Sequence, residues 1–216
     1  MNTKQSVVTV DCHYIKPERA AAYLVMGDSE AAIVDNNTSK AADLLLQEVV
    51  RNDLTPEKVK YLIITHVHLD HAGGTATLLK ACPNAMVLAH PRAVKHLIDP
   101  TRLVQSAKQV YGEELFTRLY GVIEGIPAER VRAVEDGETF TLGSGTLQSL
   151  HTAGHARHHI TIYHDESETV FTGDTFGVSH PRLQRGTKPF VLCSTAPTEF
   201  EADKARESVQ RILGTG

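Results

Sequence analysis

Between positions 66 and 71 the chain carries His66, His68, Asp70 and His71, four side chains that can each offer a lone pair to a metal ion once deprotonated. In an extended segment residues 66 and 68 point the same way, so their imidazoles can converge on one ion. A tight turn at 70 and 71 would aim a carboxylate and a third imidazole at a neighbouring point. One loop could therefore serve two ions. Mixed nitrogen and carboxylate donors suit zinc, with iron or manganese also compatible, whereas calcium and magnesium ask for oxygen throughout. Scattered surface histidines would rarely cluster this densely in a chain that holds 12 of them.

The flanking residues show how such a loop would be held. Residues 61–65 form a short, β-branched apolar run that reads as a buried strand, and Gly73-Gly74 permits a tight turn into a helix over Thr75–Ala81. Upstream, residues 7–10, 23–26 and 31–34 read as strands, and 35–39 as a turn in which Ser39 is placed to cap a helix over 40–51. A strand over 85–89 ends at His90-Pro91, with His90 taken as a structural or surface histidine. Residues 92–130 have helical spacing broken by Pro100, Gly112 and Gly125, which marks a helical insertion or lid. Its apolar face of Leu115, Phe116, Leu119, Tyr120 and Ile123 needs a cover: the sheet, a second copy in a homo-oligomer, or the rim of a substrate pocket. Strands over 131–134, 138–142 and 146–150 are expected to build a second sheet. A hairpin over 160–163 and 169–172 follows, then a helix to Leu213 opened by a capping box from Thr198 to Glu201.

The run Thr65-His66-Val67-His68-Leu69-Asp70-His71-Ala72-Gly73-Gly74 resembles the signature of the metallo-β-lactamase fold superfamily. The resemblance implies an α/β, four-layer αββα sandwich of two mixed β-sheets with helices outside, binding one or two metals between the sheets. It also implies roles further along. Thr152-Ala153-Gly154-His155 is similar to the family's second metal motif, with Ala153 in the proline position, and makes His155 the third nitrogen for the ion held by His66 and His68. His159 matches a histidine that supports this loop without touching metal, and His151 and His158 are read as supporting or surface residues. Asp174, after Gly173, stands where the family places a bridging carboxylate, so Asp70, His71 and Asp174 would hold the second ion. A bridging Asp is typical of glyoxalase II-like thioesterases, lactonases and phosphodiesterases rather than true β-lactamases. Relatives continue into a last strand that supplies a further histidine, and none follows His180 here. His180 itself is not taken as a ligand.

The function implied is hydrolysis of an ester, thioester, lactone or phosphodiester of a small molecule by a metal-held hydroxide, with zinc the expected metal. Asp70 would orient the nucleophile and pass a proton to the leaving group. Two rivals remain: a diiron protein that binds or reduces oxygen, and a metal-binding scaffold with little activity. Flavin-coupled diiron members carry glutamate where His68 stands.

Composition bounds the rest. The 216 residues suit one domain over 1–216, and 22 Lys and Arg against 26 Asp and Glu give a net charge of -4, so nucleic acid is not an expected partner. No stretch approaches the roughly 20 apolar residues of a membrane span, and the N-terminal residues do not read as a signal peptide. The expectation is no membrane partner and a cytoplasmic location. Cys12, Cys82 and Cys193 are far apart and odd in number, which suits a reducing compartment, with each thiol read as a small buried hydrophobe.

Overall fold

The computed structural model describes residues 6–196 and 199–215. A six-stranded sheet has the order β1 (Val7–Asp11), β2 (Ala21–Met26), β3 (Ala31–Val34), β4 (Val59–Ile64), β5 (Met86–Ala89), β6 (Val131–Ala133). Hairpins make β1, β2 and β3 antiparallel, and from β3 onward the pairs are parallel. The crossovers between them carry α1 (Ala42–Arg51), then α2 (Leu69–Ala72) and α3 (Thr75–Ala81), then α4 (Pro91–Ile98), α5 (Thr101–Tyr111) and α6 (Glu113–Tyr120). A four-stranded sheet follows, with β7 (Thr139–Leu142), β8 (Gly145–His151), β9 (Ile160–His164) and β10 (Thr169–Phe171) in the order β10-β9-β8-β7. Helix α7 (Ala202–Leu213) comes last.

Strand alternation decides which side each residue serves. In β3, Ala31 and Ile33 join the helix-covered core while Ala32 and Val34 face the second sheet; in β4, Leu62 and Ile64 take the helix side and Ile63 the sheet side. The central strands β3 and β5 and the second half of β4 are apolar on both faces because both are covered. Between the sheets, Val34, Ile63 and Leu88 pack on Leu142, Leu147 and Ile160. Helices outside two packed sheets are the αββα order expected from the sequence.

Four expectations change. The second sheet is antiparallel throughout, not mixed, because its strands follow one another through short connections with no helical crossover. Residues 131–134 do not begin that sheet: β6 pairs in parallel with β5 and closes the first one. Ser39 does not cap α1; it opens a 3-10 turn over Ser39–Ala41, and its hydroxyl lies 3.5 Å from the Tyr120 carbonyl of the insertion. Cys12 and Cys82 are buried as expected, but Cys193 is exposed. The Thr198 end of the expected capping box falls outside the described residues. Glu201 occupies the N-cap of α7 with no side-chain capping bond. Among the described residues no helix is long and apolar enough to cross a membrane.

Candidate metal centre

The ligand loop leaves β4 at Thr65 and is held from two sides. Ile160 N–H donates to the Thr65 carbonyl at 2.8 Å, tying the end of β4 to the second sheet. On the other side lies Asp35, at the end of β3. Its carboxylate accepts from Thr65 N–H at 2.9 Å, from the Thr65 hydroxyl at 2.9 and 3.0 Å, and from His71 Nδ1 at 2.8 Å. The Asn36 side chain accepts from Gly74 N–H at 2.8 Å, and Asn37 donates to the Asp70 carbonyl at 3.0 Å. Asp35 and Asn37 both have φ of +56°, a left-handed conformation that these two residue types tolerate.

These contacts fix tautomers. The Thr65 hydroxyl spends its proton on Asp35, so it accepts from His66 Nδ1 at 3.1 Å, and His66 Nε2 is left bare. His155 Nδ1 lies 3.2 Å from the Ser194 carbonyl and must donate, which leaves its Nε2 bare as well. Both bare nitrogens point at His68 Nδ1, from 2.9 and 3.0 Å. A single proton on His68 could satisfy only one of them. A divalent cation would satisfy all three, since zinc–nitrogen bonds of about 2.0–2.1 Å put tetrahedral ligands roughly 3.3 Å apart. Burial, then the charge of neighbouring histidines, lowers the pKa of His66 well below its ordinary value and that of His68 to about 4. The imidazoles are thus held neutral, as ligation requires.

A second group adjoins the first. His66, His71 and Asp174 present ligand atoms close enough to share an ion, as do His66, His68 and His155. Asp174 lies between the two groups, with Oδ1 3.3 Å from His71 Nε2 and Oδ2 3.6 Å from His155 Nε2. Burial would raise the Asp174 pKa, but the hydrogen bond and charge of His71, with His155 and Ser194, carry it well below the usual carboxylate range. Burial would likewise lower His71; Asp35, Asp174 and Asp70 outweigh it and hold the pKa well above the ordinary histidine value. An imidazole that keeps a proton because acids surround it is a place where a cation can take that proton's role. Asp70 belongs to neither group; its Oδ2 lies 4.0 Å from His71 Nε2, and its side chain is 40% exposed.

The loop from Thr152 to His159 brings in His155. Gly154 in this loop has φ of +137°, and a Cβ there would lie 2.4 Å from the Ala205 backbone, so α7 can sit against the loop only with glycine at 154. His159 is fully buried; Nδ1 meets the Thr152 hydroxyl at 2.9 Å and Nε2 accepts from Asp174 N–H at 3.2 Å, so it holds two site-bearing loops together. His158 is buried beside the site and accepts from Val67 N–H at 3.4 Å. His151 bonds the Val134 carbonyl at 2.9 Å, and His90 caps α4 by accepting from Arg92 N–H at 2.9 Å. His180 accepts from Arg182 N–H at 3.1 Å and belongs to neither group.

Sequence reasoning missed Asp35 and Ser194. Asp35 is an acid directly after an apolar strand, a signal visible in the sequence, whereas Asp174 is picked out by the family resemblance. Ser194 donates to Asp174 Oδ2 at 3.0 Å as well as receiving His155, and no local pattern marks it. The centre opens into a cleft of about 550 Å³ whose far wall is formed by α5 and Tyr120 of the insertion.

Comparison with known proteins agrees with this arrangement. The metallo-beta-lactamase superfamily matches residues 15–208. The metallo-beta-lactamase fold-containing protein ST1585 of Sulfurisphaera tokodaii is 31% identical over 181 residues, covering 82% of this chain and 64% of that protein. A crystal structure of ST1585 superposes with a TM-score of 0.75 at 27% identity, covering 95% of this chain and 74% of that one. Glyoxylase B2 of Dictyostelium discoideum is 29% identical over 68% of this chain and 46% of its own length. An atrochrysone carboxyl ACP thioesterase of Aspergillus chevalieri is 28% identical over 70% and 38%. The chain thus spans under two-thirds of these three curated relatives. With the ligand loop, the His155 loop and strands β2 to β10 inside the matched span, the chain belongs to the metallo-beta-lactamase superfamily.

Proposed function

We propose that the protein is a metal-dependent hydrolase of small-molecule esters, thioesters or lactones, with zinc as its metal. The observation that carries this reading is the meeting of three imidazole nitrogens, from His66, His68 and His155, beneath an open cleft that His68 and His155 line. Zinc bound there would lower the pKa of a bound water toward about 7 and polarise the scissile carbonyl. Everything else falls to the chain's own side chains. Thr65 and Ser194 fix the tautomers of His66 and His155, and Asp35 turns His71 toward Asp174. Asp70, more exposed than Asp174, is placed to take a proton from the attacking water and return it to the leaving group. Asp174 lies between both groups, which supports a second ion beside the first. Glyoxylase and thioesterase relatives favour acyl transfer to water over phosphoryl chemistry. The thiols are unpaired, and this favours a reducing, cytoplasmic setting.

The test is metal analysis of protein purified without added metal, followed by turnover of ester, thioester and lactone substrates. Zinc with turnover that disappears in His66→Ala is the expected result. Iron near stoichiometry with visible absorption would replace this reading by the diiron one, and a His66→Ala variant with full metal content and activity would end it.

A further inference from the structure

Resting on the hydrolase reading, we propose that the cleft takes a neutral acyl substrate with an unbranched apolar chain, and that this chain lies along α5. Helix α5 turns Leu103, Ala107, Val110 and Tyr111 toward the cleft, a spacing that places them on one helical face. That face lacks a full cover. None of the eleven residues of α5 is buried, and Val110 and Tyr111 are 76% and 42% exposed. Its inner end packs against the cluster of Leu69, Phe116 and Tyr120. Leu69 sits between His68 and Asp70, so the apolar track runs from solvent to the ligand loop itself.

Charge selects the occupant. Among the described residues no lysine or arginine lines the cleft; its acidic residues are Asp70, Asp174 and Glu199. A phosphodiester, or a thioester whose carrier bears phosphates or carboxylates, would meet no cation along this wall and would be repelled by Glu199. A neutral ester or lactone pays no such penalty, and its chain would remove the α5 face from water. The volume of about 550 Å³ is within the range that encloses small ligands.

The test uses the zinc-loaded chain. Straight-chain hydroxamates from acetyl to octanoyl, titrated by calorimetry, report chain binding without turnover, and p-nitrophenyl esters of the same lengths report catalysis. Affinity and kcat/KM should each rise about threefold to fourfold per methylene until the chain clears Val110. Bis-p-nitrophenyl phosphate should be turned over far more slowly than the octanoyl ester. Val110→Glu, at a site exposed enough not to threaten folding, should cut the octanoyl-to-acetyl ratio at least tenfold in both assays, and Val110→Leu should preserve it. Hydroxamate binding and ester turnover that ignore chain length would overturn this inference and leave the hydrolase reading standing. Chain-dependent binding with no turnover of any acyl substrate would overturn the hydrolase reading and leave α5 as an apolar-ligand wall. A dimer in solution that Val110→Glu dissociates would show that a second copy covers α5, and would overturn the inference.

Discussion

Replacing Asp35 by asparagine changes one heavy atom, an oxygen to a nitrogen, and almost no volume, so it isolates what the carboxylate does. In the native chain both Asp35 oxygens accept: Oδ1 from Thr65 N–H and hydroxyl, Oδ2 from the Thr65 hydroxyl and from His71 Nδ1. An asparagine has one oxygen to give. If it faces Thr65 N–H, its amide hydrogens meet His71 Nδ1, which must then accept. A neutral, ligating His71 would then carry its proton on Nε2, the nitrogen that faces Asp174 at 3.3 Å, and the lone pair needed there would be lost. If the amide is flipped, a buried Thr65 N–H faces another donor instead. Either arrangement removes a charge-assisted hydrogen bond or leaves a buried donor unpaired, at a cost of about 2 kcal/mol. Loss of a partner that orients a metal-binding histidine typically lowers metal affinity by about 10–100-fold. That loss should fall on the group containing His71 and Asp174 more than on His66, His68 and His155.

Two measurements separate these effects. Urea unfolding in the presence of a chelator reports the metal-free stability, and zinc titration against a competing chelator resolves tight and weak sites. We expect the weaker zinc site of Asp35→Asn to fall by at least tenfold while the tighter one shifts less. A variant with unchanged unfolding midpoint and two unchanged affinities would refute the claim that Asp35 sets the His71 tautomer.

Three further outcomes follow from burial and backbone geometry. Gly154→Ala should destabilise the protein by more than about 2 kcal/mol and reduce zinc stoichiometry, because φ of +137° and the 2.4 Å approach of Ala205 force either the His155 loop or α7 to move; unfolding and metal analysis check this, and an unchanged midpoint would contradict it. At pH 8, Ellman's reagent should label one thiol of the native protein rapidly, Cys193, since burial pushes Cys12 up to about 12 and Cys82 up to about 11; fast labelling of a second would contradict the packing. His90 is held neutral down to about 4, by burial and then by His151 and Arg92, whereas the unfolded chain takes that proton near 6.5. Its contribution is therefore present above pH 6.5 and lost as pH falls toward 4, by about 2 kcal/mol at pH 4.5. His90→Asn keeps a capping acceptor without the titration and should lose correspondingly less stability between pH 7 and 4.5, read from urea midpoints.

What could be read from the sequence, and what could not, follows from the distance over which each feature is encoded. The ligand loop was legible because His66, His68, Asp70 and His71 are neighbours in the chain, and the second sheet's hairpins because their turns are local. β6 was misplaced because it has three residues, none of them buried, and its partner β5 lies on the other side of the helical insertion. Cys193 was misjudged because burial depends on what packs above a residue, which no neighbouring residue records. Asp35 is the most instructive case. It sits thirty positions before Thr65, yet β3 and β4 are parallel neighbours with Val34 opposite Ile63, so the residues just past their ends must arrive side by side. Asp35 N–H then bonds the Ile63 carbonyl at 2.8 Å, extending the register beyond Val34, and the carboxylate lands on Thr65. An acid that follows one apolar strand and a ligand loop that follows the next are unrelated as text, and parallel pairing alone makes them a unit. Where short apolar strands separated by one helix end in polar residues, those ends can be taken together as one candidate site before any coordinates exist. Here that rule would have joined Asp35 to His66 and His71.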